Sequence, residues 1–281
     1  MRNLSATLLP VALASFSAHA QESFETPVPD KSMYHLGNPT PREHMRDLSP
    51  DRPDATESPY TVDAGHVQLE MSFLEFSRED EGTRTDTYVY APFNLKIGLL
   101  NNADLQLLFD PYVRVQDRAG ADASGIGDLT LRFKANLWGN DTGDTAFGIM
   151  PFVKLPTGDR DVSNGNVEPG IILAFGASLP GDFNLGLMAE FDAVRNAADD
   201  GFDLEFVHTA TVSREVIGPL GAFVEYVGVA SSDSGSDYRA SFSTGLTYAV
   251  TADVQLDAGV VLGLTDAAED VRLFSGITVR F

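Results

Sequence analysis

The sequence has no cysteine among its 281 residues. This absence excludes disulfides, thiolate zinc sites and cysteine nucleophiles. Basic residues are also scarce, with 19 Lys and Arg against 41 Asp and Glu, so the formal charge is -22 at pH 7. Because a nucleic-acid-binding protein needs a basic surface, the composition argues against that function.

Long apolar runs and common catalytic motifs are missing as well. Beyond residue 20, no apolar run approaches the roughly 20 residues of a membrane-spanning helix. The sequence contains no Walker A, His-Glu-x-x-His or Gly-x-Ser-x-Gly motif. The stretch GIGDLT at 125–130 lacks the third glycine of a dinucleotide fingerprint and precedes a predicted strand rather than a helix. These absences argue against a helical membrane protein and give no motif for a nucleotide site.

The N-terminal 62 residues differ in pattern from the rest. A basic start at Arg2, an apolar stretch over 4–16 and the small residues of Ala18-His19-Ala20 predict a secretory signal peptide over residues 1–20. Residues 21–62 hold seven of the 15 prolines and show neither a helical nor a strand period. They are therefore predicted to form an extended arm, with the folded domain over residues 63–281.

Period-2 alternation dominates from residue 65 to the end and predicts β-strands. Over 129–137, for example, Leu, Leu, Phe, Ala and Leu alternate with Thr, Arg, Lys and Asn. One face of such a strand is apolar and the other polar. The twelve predicted segments are 65–77, 87–99, 103–115, 126–138, 145–156, 167–179, 182–194, 202–214, 217–230, 237–250, 253–264 and 269–281.

The connections between these segments are alternately long and short. The odd-numbered ones are long and polar, such as QDRAGADASGIG, and the even-numbered ones are mostly tight, such as PGD. With an even strand number, this layout predicts an all-β fold, a transmembrane antiparallel up-and-down β-barrel of about 12 strands. A soluble sandwich, the structural alternative, gives no reason for the alternation. The barrel predicts an outer-membrane location with both termini in the periplasm, preceded by a short periplasmic arm.

Several motifs resemble the outer-membrane transporter family described as "putative meta-pathway of phenol degradation". The resemblance covers nearly the whole mature chain, and the transition from arm to first strand carries it most specifically. The matching motifs are DRPD (51–54), TESPY (56–60), GHVQLE (65–70), GIGDL (125–129), LPTGD (155–159) and the tail TGLTYAVTADVQLDAGVVLGLTDAAEDV (244–271).

This resemblance implies a channel for the passive passage of small solutes, with aromatic or hydrophobic compounds among the candidates. It implies no catalytic residue, metal or cofactor. The terminal aromatic Phe281 resembles the signal read by outer-membrane assembly machinery. The expected partners are therefore that machinery, outer-membrane lipid with lipopolysaccharide, and the small-molecule solute.

The arm is long enough to fold into the lumen, and its charges are the candidates for a constriction. Its candidate residues are Asp51, Arg52, Asp54 and Glu57. We expect them to pair with inward-facing charges such as Arg132, Lys134, Arg239, Arg272 and Arg280. The alternative is a solvated leader. On the polar strand faces, the lumen-lining candidates are Arg132, Lys134, Glu190, Asp192, Arg239, Asp257 and Arg272.

Two other functions stay open at this point. A plugged barrel could serve as an adhesion or envelope-integrity surface through its acidic loops. A lipid-active hydrolase would need His208, which falls on the apolar face, but Ser213 has the opposite parity and no third partner is marked. The acidic loop GDRDVSNGNVE misses the EF-hand spacing, so no metal site is predicted.

Overall fold

The computed structural model describes residues 29–80, 84–196 and 201–281. The expected signal peptide lies outside the described residues. Apart from one short 3-10 helix (Arg42–His44), the regular structure in these ranges is β-strand. The strands are β1 (Val67–Glu79), β2 (Thr85–Tyr90), β3 (Phe93–Leu100), β4 (Ala103–Phe109), β5 (Tyr112–Asp117), β6 (Asp122–Gly125), β7 (Leu129–Trp138), β8 (Thr145–Leu155), β9 (Glu168–Leu179), β10 (Phe183–Arg195), β11 (Phe202–Ile217), β12 (Leu220–Ser231), β13 (Arg239–Thr251), β14 (Val254–Gly263) and β15 (Val271–Arg280).

The strands form one closed antiparallel barrel. Each pairs with its neighbour in the sheet, and β15 pairs back with β1 to close the wall. Three wall positions consist of two strands each, β2 with β3, β4 with β5, and β6 with β7, so the barrel has twelve strand positions. Closure pairs the backbone around the wall from β1 to β15, and among the described strands β6 alone ends the strand order with one partner, β5. The predicted fold class is confirmed.

Each broken wall position has a local cause in the sequence. Pro92 separates β2 from β3, and Pro111 separates β4 from β5, because proline has no N–H to donate to the ladder. Pro151 stays inside β8, but the pairing of β8 with β7 skips from Arg132 opposite Phe152 to Ala135 opposite Ile149. The three prolines thus interrupt pairing while the barrel remains closed.

At the break between β6 and β7, two of the motifs that carry the family resemblance, GIGDL and LPTGD, contact each other. Asp159 of LPTGD accepts a hydrogen bond from Ile126 N (2.9 Å) and donates its own N–H to Ile126 O (2.8 Å). In return, Asp128 of GIGDL accepts from Gly158 N at 2.9 Å. These bonds satisfy backbone groups that a regular ladder would otherwise pair, so the motifs hold the wall together where it is irregular.

The two barrel faces are reversed relative to a water-soluble protein. Large apolar side chains are exposed on the outside, and polar and charged ones such as Lys96 and Lys134 are buried inside. Outward-facing tyrosines, among them Tyr90, Tyr112 and Tyr248, are 42%, 43% and 48% exposed. An apolar outer belt with aromatic residues and a polar interior is the pattern of a barrel that faces lipid. In the part of the chain that the structure describes, no helix has the length and apolarity to cross a membrane.

Candidate functional site in the barrel lumen

The described part of the arm, taken from here on as residues 29–66 so that it includes the residues leading into β1, enters the lumen from one end. This is the end with the short turns at 101–102, 180–182, 218–219 and 252–253. Glycines on the inner wall leave room for the backbone of the arm. A Cβ at Gly98 would collide with the carbonyl oxygen of Asp63, and a Cβ at Gly148 or Gly176 would come within 3.1 Å of Pro59. The glycines on the polar strand faces therefore mark where the arm packs.

Asp51 is the most heavily bonded residue of the arm. Its buried carboxylate accepts hydrogen bonds from Lys96 Nζ, from Lys134 Nζ at 2.8 Å and from Ser58 N at 2.8 Å. Its own N–H donates to Glu70, which is 2% exposed. A carboxylate placed between two buried lysines offsets the cost of removing their charges from water. Asp51 thus links the arm to β1, β3 and β7.

Arg52 fixes the arm to β1 and to the strands that follow it on the closing side of the barrel, β14 and β15. Its guanidinium donates to both carboxylate oxygens of Asp257, at 3.2 and 2.7 Å, and to Ser72 Oγ at 2.6 Å. It also lies 5.8 Å from the centroid of the Phe274 ring. This bidentate geometry is the strong form of an arginine–carboxylate pair, and it joins the arm to β14 and β15.

Residues 54–57 cross the lumen toward β11 and β12. Ala55 N and Thr56 N donate to the carboxylate of Glu225 at 3.0 and 2.8 Å, and Thr56 Oγ1 lies 2.6 Å from Thr209 Oγ1. Burial, followed by the negative charge of Glu225, raises the pKa of Asp54 to about 8. Asp54 is therefore mostly protonated at neutral pH, which limits its repulsion with Glu225.

Glu57 completes the crossing. Its carboxylate forms an ion pair with Arg132 of β7, whose guanidinium carbon lies 5.6 Å from the centroid of the Phe152 ring. The Glu57 N–H points to Met188 Sδ at 3.4 Å. Met188 belongs to a small apolar cluster on the inner wall with Met150 and Ile172. This part of the arm therefore rests on an apolar patch and is held by one ion pair.

A second ion-pair group holds the arm near the short-turn end. Arg46 donates to Asp141 at 3.1 Å and to Thr61 O at 3.0 Å, and Lys31 donates to Asp141 at 2.7 Å. Arg280 of β15 donates to Arg46 O at 2.8 Å. The arm is thus tied to the barrel at its entrance as well as in mid-lumen.

A cavity lies in the lumen on each side of the arm. A cavity of about 920 Å³, called here the lower cavity, lies at the short-turn end and is lined by arm residues, among them Asp54 and Glu57, and by Arg214 and Glu215. A cavity of about 700 Å³, called here the upper cavity, is lined by β7 to β11 and the loop before β9. The Glu57–Arg132 pair lies between them, since Glu57 lines the first and Arg132 the second.

The candidate lumen residues fall into three groups. Lys134, Arg132 and Asp257 contact the arm. Glu190 and Asp192 line the upper cavity. Arg239 pairs with Glu205 at 2.8 Å and Arg272 with Glu269 at 2.7 Å, so neither pairs with the four arm candidates.

Arg280 also differs from the expected pairing, because its ion pairs are with Asp253 at 2.9 Å and Asp63 at 3.9 Å. The sequence did not predict three sets of contacts. They are the Thr56–Thr209 contact, the hydrogen bond from Ser243 to Glu225 at 2.6 Å, and the ion pairs around Arg46. Uncharged hydroxyls on a polar strand face carry no signal that distinguishes a contact from a solvated position.

His208 lies on the outer barrel face, as its parity indicates. Its Nε2 is 3.0 Å from Tyr238 Oη, which is 2.7 Å from Tyr226 Oη. Tyrosines at the lipid boundary are typical of an aromatic girdle, and His208 packs among them. Among the residues described, no group of His, Asp and Glu is arranged to hold a metal ion.

Comparisons with known proteins agree with this architecture. The model of a family described as "Putative MetA-pathway of phenol degradation" matches residues 50–281. An outer-membrane channel from Pseudomonas putida F1 is similar in structure, with a TM-score of 0.63 and 16% identity over 84% of this chain and 100% of that chain. The NanC porin has a TM-score of 0.51 and 8% identity over 76% and 98% of the two chains. No curated protein sequence matches the chain significantly.

Proposed function

The chain belongs to the family described as "Putative MetA-pathway of phenol degradation", and we propose that it is an outer-membrane channel through which small solutes diffuse passively. One observation carries the proposal: a polar lumen with a cavity on each side of the arm, enclosed by an apolar outer belt. A barrel with a polar interior and a lipid-facing exterior suits a solute pathway. A concentration gradient drives the transport, so no cofactor is needed.

The arm forms the narrowest part of this pathway. Asp51, Arg52, Asp54 and Glu57 cross the lumen between the two cavities, and the Glu57–Arg132 pair borders both. Pore width and lining charge together determine which solutes pass. The arm therefore limits the size of the solute, and the charges that remain in the cavities determine its chemistry.

The short-turn end of the barrel faces the periplasm in this proposal. The arm enters there, and Phe281 meets the start of β1 at the same end, with Phe281 N donating to Val67 O at 2.8 Å. Short periplasmic turns and longer outer loops are usual for outer-membrane barrels. Phe281 is then available to assembly machinery in the periplasm, and the acidic loops face lipopolysaccharide.

Vesicle swelling tests the channel directly. Liposomes that contain the refolded full-length mature protein are expected to swell in an isotonic solution of a pentose faster than empty liposomes, because the sugar enters through the lumen and water follows. A larger oligosaccharide should give no swelling, since the arm narrows the pathway. Equal swelling rates with and without a folded barrel would contradict the proposed channel.

A plugged barrel that serves as an envelope scaffold is the second candidate. The observation that favours it is the number of strands that the arm contacts, from β1 and β3 to β14 and β15. Such a scaffold would give no pentose-dependent swelling and no conductance even after removal of the arm. The channel and the scaffold therefore predict opposite results.

A further inference from the structure

The upper cavity has basic residues mainly on one side and acidic residues mainly on the other. Arg132 of β7 and Lys154 of β8 lie on the first side, with Glu168 of β9 beside Lys154. Glu190 and Asp192 of β10 and Glu205 of β11 lie on the second side. Arg195 of β10 also lines the cavity, and its guanidinium carbon lies 5.3 Å from the centroid of the Phe202 ring. A single strand, β9, separates β8 from β10, so β8 and β10 are about 10 Å apart and β7 and β10 about 14 Å apart at a strand spacing of about 4.8 Å. A small solute can therefore reach both sides at once.

The acidic side is built from like charges on neighbouring strands. Asp192 lies directly opposite Glu205 in the β10–β11 pairing, and Glu190 is two residues away on the same face of β10. Like charges opposite each other destabilise a sheet. Arg239 pairs with Glu205 at 2.8 Å. Asp192 Oδ1, by contrast, is buried without a hydrogen-bond partner among the described residues. This side is suited to accept a cationic group.

The basic side also has charged groups that can donate further hydrogen bonds. One amino group of the Arg132 guanidinium pairs with Glu57, but Arg132 Nε is buried without a hydrogen-bond partner in the described part of the chain. Lys154 is 38% exposed and lies 3.7 Å from Glu168. Between the two sides, a Cβ at Gly170 would meet both the Phe152 ring and Asp192 Oδ1. An aromatic ring and a carboxylate therefore lie next to each other at Gly170, between the two sides of the cavity.

We infer that the upper cavity is a binding site for small zwitterionic solutes, with the ammonium group at Glu190 and Asp192 and the carboxylate at Arg132 and Lys154. Seven charged residues line the cavity, four acidic and three basic. The acidic residues of β10 and β11 and the basic residues of β7 and β8 together orient a solute that carries both charges. The inference rests on the proposed channel and names its solute class.

Three matched ligands test this site. Phenylalanine carries both charges, 3-phenylpropanoate only the carboxylate and 2-phenylethylamine only the ammonium group. Binding to full-length protein in nanodiscs, corrected with empty nanodiscs, is measured by titration calorimetry or ligand-observed NMR. Phenylalanine is expected to bind about fivefold more tightly than either analogue, which is the order of gain from one additional solvent-accessible ion pair.

Substitutions inside and outside the upper cavity separate site-specific effects from general ones. The double variant E190Q/D192N should weaken phenylalanine and 2-phenylethylamine binding about fivefold and leave 3-phenylpropanoate unchanged or tighter, since only the acidic side is altered. The matched control is E79Q/D80N, a double change of the same type at two exposed residues that line neither cavity, which should alter none of the three.

The outcomes distinguish this site from the channel itself. Equal affinities for the three ligands, or equal effects of both variants, would overturn the zwitterion site even if vesicles swell in pentose. Tight and selective phenylalanine binding without any swelling would support the site and contradict passive transport.

Discussion

Asparagine in place of Asp51 is expected to release the arm from the lumen while the barrel stays folded. The substitution removes the carboxylate that neutralises buried Lys96 and Lys134. Lys96 keeps an ion pair with Glu70, whereas Asp51 is the ion-pair partner of Lys134 among the described residues. Loss of one partner from a buried ion pair typically costs about 3–5 kcal/mol, because the remaining charge, here that of Lys134, is left uncompensated. The barrel wall is held by strand pairing that the change does not touch, so we expect the loss to fall on arm docking.

Limited proteolysis followed by mass spectrometry measures this release. In the wild-type protein we expect the arm to resist cleavage because it is enclosed by the barrel, and in D51N we expect cleavage between residues 40 and 60. The matched control is D47N. Asp47 is on the same arm but has no hydrogen bond or ion pair within the described residues. Equal cleavage rates for D51N and D47N would contradict the role assigned to Asp51.

Removal of the arm is expected to raise the single-channel conductance severalfold. A protein that starts at Val62 lacks the segment between the two cavities, so the lumen becomes continuous and its lining charges are rehydrated. Pore width then limits ion passage less severely. Planar bilayer recordings of the refolded proteins give the measurement, in the same salt for both.

The control for this deletion is a protein that starts at Pro29, which keeps every arm contact described above. It should conduct like the protein that starts at Gln21. If neither shortened protein conducts although both barrels are folded, the result would contradict the proposed channel and favour the scaffold. Equal open conductance in both would leave the channel in place and contradict the arm as its constriction.

Most of the fold follows from local patterns. Alternation depends only on which face of a strand meets lipid, so the segment 126–138 predicted inward Arg132 and Lys134 from their parity alone. The predicted ends of the strands were less accurate where the barrel wall is irregular. The predicted strand 126–138 begins at Leu129 in the structure because Gly127 and Asp128 bond to neighbouring segments instead.

The arm contacts could be predicted only in part, since they depend on its path through the lumen. The alternation of the strand predicted that Asp257 faces the lumen. No sequence pattern, however, indicates that it pairs with Arg52, which is 205 residues away. Arg239 and Arg272 were expected to meet the arm, yet each lies beside an acidic residue of the barrel or its loops. Arg272 pairs with a residue three positions away, and Arg239 pairs with β11, which is separated from β13 by a single strand of the wall.

The central claim is that residues 51–57 of the arm lie inside the barrel, and a disulfide tests it most directly. The native chain has no cysteine, and Thr56 Oγ1 lies 2.6 Å from Thr209 Oγ1, a separation that suits disulfide geometry after substitution by cysteine. The pair T56C/T209C is expected to form an intramolecular disulfide in the folded protein under mild oxidation. The control pair T56C/A210C should not, because Ala210 follows Thr209 on β11 and faces the opposite side of the wall. A folded T56C/T209C barrel that stays reduced, or one that crosslinks no faster than the control, would contradict the account.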